Sequence, residues 1–272
     1  MAITTIDTLI AGMQPSNSFL KVGSTMEAVG VLHSRFYDAG MPGAAAAPSP
    51  GINGAALTTY AGQLPFTNPV SGNTYLAHLS ANTNVAGGTL ILCDRLWHNS
   101  GINITTTTLQ AITSGALPAR DRTGTTNGVD VRAALEVSGV LGNGVVTNTT
   151  LVYTSASGVA GRTATIPSFN SSAQPGTFIP FALQAGDTGI RSMVGGAEGL
   201  TLGTSYVSGT MHLVLYRELA QVNLMTSNIG ATIDAITSGF PRMYNNTVPF
   251  FVWLPSSVTA NTVSGRFVVT QG

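Results

Sequence analysis

From Gly87 onward, apolar residues recur at every second position in short runs bounded by turn formers, the period of strands that turn one face inward. In the run GTMHLVLY, Met211, Leu213 and Leu215 share one face while His212, Val214 and Tyr216 share the other. The same pattern predicts strands over 89 to 97, 129 to 137, 150 to 154, 162 to 166, 177 to 183, 189 to 194, 209 to 216, 250 to 254 and 265 to 270. Asn127-Gly128, Gly142-Asn143-Gly144, Ser157-Gly158 and Gly186-Asp187 separate them as turns. Short strands at this spacing predict an all-β fold, an antiparallel β-sandwich or jelly roll.

Two stretches change period. Val29, Leu32 and Phe36 sit at three- and four-residue intervals, which predicts a helix over 26 to 39 that Gly40 and Pro42 stop. A second helix is expected over 229 to 238, capped by Ser227 or Asn228, with Ile229, Ile233 and Ile236 on one side and Gly239 and Pro241 ending it. The stretch that follows the first helix is rich in Pro, Gly and Ala, with Leu57, Tyr60, Leu64, Phe66 and Tyr75 as scattered bulky residues. Such a stretch makes no compact core alone, so residues 1–85 are expected to be an extended N-terminal arm and residues 86–272 the β-sandwich domain.

Composition sharpens this reading. Only 8% of the 272 residues are charged, against the quarter or so usual in soluble domains, and Lys21 is the single lysine. With 43% hydrophobic residues the chain is apolar enough to fold, and so little charge suggests a surface meant to lie against copies of itself or a partner, as a homo-oligomer. Eleven acidic and eleven basic residues cancel, so the sum points to no nucleic acid and no anionic membrane. No run reaches the roughly 18 apolar residues of a membrane span. The opening MAITTIDTLIAGMQ lacks the basic start and cleavage site of a secretion signal, and the lone Cys93 suits synthesis in a reducing cytoplasm.

Catalytic chemistry finds little support. His33, His78, His98 and His212 lie in four different segments without HExxH spacing, no GxSxG elbow occurs, and Lys21 lacks the glycines of a phosphate-binding loop. Cys93, Asp94 and His98 form the nearest approach to a cluster, but adjacent strand residues point to opposite faces, so Cys93 reads as buried and Asp94 as paired with Arg95 or a turn. No enzyme activity, cofactor or metal is expected. A glycosidase would need two acids brought close by folding.

Charge concentrates in one place, PARDRTGTTNGVDVR, which carries Arg120, Asp121, Arg122, Asp130 and Arg132. This is either a solvated loop with local ion pairs or an intersubunit contact that fixes register. Trp97 and Trp253 each end a predicted strand, as core packing, an interface anchor or a sugar-stacking platform. The candidate interface residues are Pro42, Leu57, Tyr60, Phe66 and Tyr75 of the arm and Arg120, Arg122 and Arg132 of the charged segment.

The segments DRLWHNSGI (94 to 102), GRTATIP (161 to 167), FALQAGDTGIRSM (181 to 193), SGTMHLVLYRELA (208 to 220) and NIGATIDAITSGFPRMYNNTVPFFVWLP (228 to 255) resemble a family of tailed-bacteriophage virion proteins. The resemblance implies a head decoration or cement-like protein of the virion, synthesised in the host bacterial cytoplasm, that binds the major capsid protein and copies of itself. The long charged spine helix and extended loop typical of major shell proteins are not evident. The alternatives are a major capsid protein and a tail carbohydrate- or receptor-binding module.

Overall fold

The alternating runs do become strands, and the period-two pattern is paired almost wholly with distant partners. The computed structural model describes residues 3–23, 27–85, 87–142, 146–169, 172–239 and 241–272. The chain begins with helix α1 (Ile6–Ala11), then strands β1 (Asn17–Val22), β2 (Leu32–Ser34), β3 (Ala39–Met41) and β4 (Ala55–Ala56). Next come β5 (Thr74–Thr83), β6 (Gly88–His98), β7 (Gln110–Thr113), β8 (Arg132–Gly139), β9 (Val146–Ser155) and β10 (Arg162–Phe169). They are followed by β11 (Thr177–Pro180), β12 (Ile190–Ser192), β13 (Val194–Thr201) and the long β14 (Thr210–Leu224). The chain closes with β15 (Ala231–Asp234), helix α2 (Ala235–Ser238), β16 (Arg242–Met243), β17 (Pro249–Pro255) and β18 (Thr262–Gln271). The fold is all-β and antiparallel, as expected.

Contacts divide the chain into two compact units, one made of Met1–Ala45, Thr59–Asp94 and Glu218–Gly272, the other of Ala46–Thr58 and Arg95–Arg217. In the first, a sheet ordered β15-β5-β18-β1-β3 and the strands β2, β17 and β6 contribute to one core. Phe19, Leu76, Leu79, Leu92, Phe251, Trp253 and Phe267 are at its centre, with the rings of Phe19 and Phe251 4.4 Å apart. In the second, a sheet ordered β10-β9-β13-β7 and the β14–β8–β11 strands enclose Leu96, Trp97, Ile112, Leu135, Leu151, Tyr153, Leu200 and Leu213.

Residues 1–85 differ from the expected arm. β1 pairs with β18 over six register positions and with β3 on its other side, and β5 lies between β15 and β18. The partner strand β18 is about 190 residues away from β5, and it supplies the core face that the Ala- and Gly-rich neighbourhood of β5 cannot show locally.

Both expected helices are corrected as well. Over the described part of 26–39, from Glu27 on, the chain turns at Ala28–Val31, with Gly30 at φ +74°, and continues as β2, where His33 faces Trp253 and Ser34 faces Val252 on β17. The glycine breaks the helix and the strand partner replaces it. Over 229 to 238, β15 pairs with β5 through Ala231–Ala81, and only α2 is helical, capped by the Asp234 carboxylate rather than by Ser227 or Asn228. Gly239 does end it, at φ +70°. The turn expected at 142 to 144 falls, from Asn143 on, outside the described residues.

Candidate interaction surface

Of the eleven acidic and eleven basic residues, ten are buried: Lys21, Glu27, Arg35, Asp94, Arg95, Arg120, Asp121, Glu136, Glu198 and Arg217. A chain already poor in charge thus spends nearly half of it inside, where each group must be matched because an unpaired buried charge is costly.

The second unit holds the most enclosed pair. Arg95 on β6 and Glu136 on β8 are both wholly buried and meet in a two-pronged contact, Nη1 to Oε1 at 2.9 Å and Nη2 to Oε2 at 2.6 Å. The third arm, Nε, donates to Nδ1 of His98 at 3.1 Å. That bond needs the lone pair, so His98 is neutral, and burial together with the Arg95 charge pushes its pKa down to about 3. Nearby, His212 spans the carbonyl of Asn99 at 2.9 Å and the hydroxyl of Ser138 at 2.7 Å, and burial lowers its pKa too. The Asp94 carboxylate accepts from the Val248 N–H at 2.9 Å. Cys93, the one cysteine of the sequence, is buried.

The first unit has its own cluster. Arg35 binds Glu27, Asp38 and Asn261, and its guanidinium carbon lies 5.6 Å from the Trp253 ring centroid. Lys21 Nζ donates to the carbonyls of Asp38, Pro42 and Gly43 at 3.2, 2.9 and 3.3 Å. Burial pushes Lys21 down to about 8, with the Asp38 charge opposing the shift. His33 accepts the Ala28 N–H on Nε2 at 3.0 Å, and burial, then the Arg35 charge, pushes it down to about 4.

The charged segment at 118–132 splits in two. Arg120 is buried and donates to the carbonyls of Leu57 at 2.7 Å and Arg95 at 3.1 Å, so it ties chain to chain inside the second unit. Asp121, also buried, accepts from the N–H groups of Thr123, Thr125, Gly128 and Val129 and from the hydroxyls of Thr123 and Thr125. Burial opposes its charge, but these donors outweigh it and hold the carboxyl below its ordinary value. The loop closes on Gly128 at φ +83°, where any side chain would run into the Ile190 carbonyl. Replacing Asp121 by Ala removes the acceptor of four N–H groups, that of the buried Gly128 among them, and is expected to cost about 2 kcal/mol in urea unfolding. An unchanged midpoint would show that the loop holds without its carboxylate.

Of the expected contact residues, Arg122 and Arg132 are exposed, Arg122 in an open ion pair with Asp130 at 3.0 Å. Leu57 and Arg120 are brought together and buried, which removes both from the surface. Pro42 is half-buried and gives its carbonyl to Lys21. Tyr60 stacks on Phe36 at 5.4 Å, Phe66 packs on the first unit's core, and Tyr75 stands on β5 opposite Arg242. Trp97 and Trp253 are wholly buried and offer no stacking face to a sugar.

No protein-family profile matches the chain, and no curated protein is similar to it in sequence. Among solved structures, the VP2 subviral particle of infectious bursal disease virus is similar at 10% identity over 100% of this chain and 83% of that chain, with a TM-score of 0.20. T=1 particles derived from the same virus give 10% identity over 96% and 79%, with a TM-score of 0.18. Likeness at this level carries no argument about what the chain does.

What sequence reasoning missed is apolar and outward. Ile6, Ile236, Met225 and Val207 are 73%, 85%, 86% and 75% exposed, and Ile10, Val194, Ile229 and Val258 are more than half exposed. The periodicity around Ile229 and Ile236 did flag apolar residues in a row. It placed them with Ile233 on one side of a helix, whereas the fold leaves Ile229 and Ile236 in solvent. Among the described residues no group of three His, Cys, Asp or Glu side chains is placed to hold a metal ion.

Proposed function

We propose that this chain is a non-enzymatic structural component of a bacteriophage virion, which binds the capsid shell and its own neighbours and stabilises them in a decoration or cement role. The observation that carries the reading is the inward turn of its charge. Ten of the charged side chains are buried while large aliphatic side chains stand in solvent, so the outer surface is unusually free of the groups that keep independent proteins apart. Such a surface is stabilised by being covered. Burying it across subunit boundaries adds free energy to the assembled shell that rupture must overcome, and no chemistry is required. The sequence segments that resemble tailed-phage virion proteins support the same reading.

The test is to locate the chain by electron cryomicroscopy in purified virions of a phage that encodes it, counting copies and recording their contacts. Many copies over the head, forming an outer layer on a separate shell, is the expected result. A continuous wall made of this chain would make it the shell protein itself. Copies confined to the tail tip would overturn the reading and favour a receptor-binding module.

A further inference from the structure

Among the described residues, three charged side chains make no hydrogen bond or ion pair: Asp7, Arg191 and Arg266. Asp7 is thus the single unpaired side-chain carboxylate in a chain that otherwise matches its acids with care. It lies on α1, a helix with no buried residue, between Ile6 and Ile10, which are 73% and 59% exposed. The position i to i+4 puts both isoleucines on one face, with Asp7 beside them.

This face is held rather than dangling. Thr5 caps α1 at its start. Behind it, the Thr270 hydroxyl donates to the Leu9 carbonyl at 2.9 Å, the Gln14 N–H to Val269 at 2.9 Å, and the Gln271 N–H to Gly12 at 2.9 Å. An apolar face fixed outward loses little further entropy on docking.

The two unpaired arginines have different surroundings. Arg266 stands exposed on β18 between Ser18 and Ser80, on a sheet face that also carries the exposed Leu20 and Val22 of β1. Arg191 is exposed at the edge of a groove of about 330 Å³ in the second unit, whose lining includes Ala116, Met193 and Val194, with Thr113 and Thr126 beside them. Val194 is 63% exposed there. The groove therefore asks for a segment that is apolar and carries one carboxylate, which is the composition of the exposed α1 face.

We infer that α1 of one copy docks in the Thr113–Val194 groove of a second copy, seating Ile6 and Ile10 on the apolar lining and pairing Asp7 with Arg191. The two surfaces differ, so the contact is head-to-tail and propagates from copy to copy, into a ring if the rotation closes. This rests on the reading of the chain as an assembling protein and names the surfaces by which it would assemble.

The experiment is a charge swap, read by sedimentation of the full chain over a range of concentrations. Asp7→Arg and Arg191→Asp, each made alone, are expected to weaken self-association at least about tenfold, since each puts like charges together in a partly dry contact. The Asp7→Arg/Arg191→Asp double variant, or a mixture of the two single variants, is expected to associate again. Circular dichroism confirms that each variant folds. A wild-type chain that stays monomeric, single variants that associate normally, or a double variant that does not recover would each overturn the inference. Loss on Arg266→Asp but not on Arg191→Asp would also overturn it, by moving the contact to β18. Copies found on the head whose association ignores these charges would sink this contact and leave the shell reading intact; copies found at the tail tip would sink the shell reading whatever the swap shows.

Discussion

Lowering the pH from 7.5 to 4.5 is expected to remove about 5 kcal/mol of folding stability, about 2.5 kcal/mol from each of His33 and His98. Both have folded pKa values, about 4 and about 3, well below the ordinary 6.5. Below pH 6.5 the unfolded chain takes up a proton on each histidine that the folded chain refuses. The stability is therefore whole above pH 6.5 and is lost as the pH falls toward the folded values. Geometry gives the reason independently, because Nε2 of His33 and Nδ1 of His98 each accept a hydrogen bond that protonation would break. His212, lowered by burial, acts in the same direction. Urea unfolding at the two pH values measures the loss. Gln offers an acceptor oxygen in place of the ring nitrogen, so His33→Gln and His98→Gln should each remove about 2.5 kcal/mol of the pH dependence. A stability that is flat across this range would show that the histidines are solvated in the folded protein.

The second large effect concerns the Arg95–Glu136 pair. Glu136→Ala leaves a guanidinium buried without its carboxylate and is expected to cost about 3 to 5 kcal/mol. Replacing both partners, Arg95→Met with Glu136→Leu, should recover most of that loss, because two apolar side chains of similar size need no compensating charge. Chemical denaturation of the single and double variants gives the comparison. A double variant as unstable as the single one would mean that the network through His98, and not the charge balance, is what the site requires.

These two predictions share a cause with the proposed function. Ten of the 22 charged side chains are inside, where they set the response to acid and to core substitution, and in the proposed function the outer surface is left for contacts between subunits. In the proposed role, association should rest on apolar contact with a few steering charges such as Asp7 and Arg191.

The strand positions from Gly87 onward were legible because alternation is a local property: β6, β9, β10, β17 and β18 contain the runs that the pattern marked, and β8 and β14 overlap theirs. The N-terminal strands were not. β1 and β5 owe their place to β18, near the other end of the chain, and no window of sequence contains both sides of such a ladder. The helical spacing of Val29, Leu32 and Phe36 misled for the same reason, although Gly30 in the middle of the run was a visible warning. In the charged segment, local reading could offer only a solvated loop or a contact. Arg120 and Asp121 proved to be buried anchors, and their partners Leu57, Arg95 and Gly128 decide that.

By itself, the sequence determined the class of the protein: apolar enough to fold, strand-forming by period, rich in turns, and sparsely charged. Those are sums and local patterns, which do not depend on how the chain is threaded. The tertiary structure alone decided which charges are buried and matched, which aliphatic residues are left in solvent, and that strands β1 to β5 pair into the sheets. Each of these depends on pairing between residues far apart in the chain, where burial and hydrogen bonding, not local propensity, set the free energy.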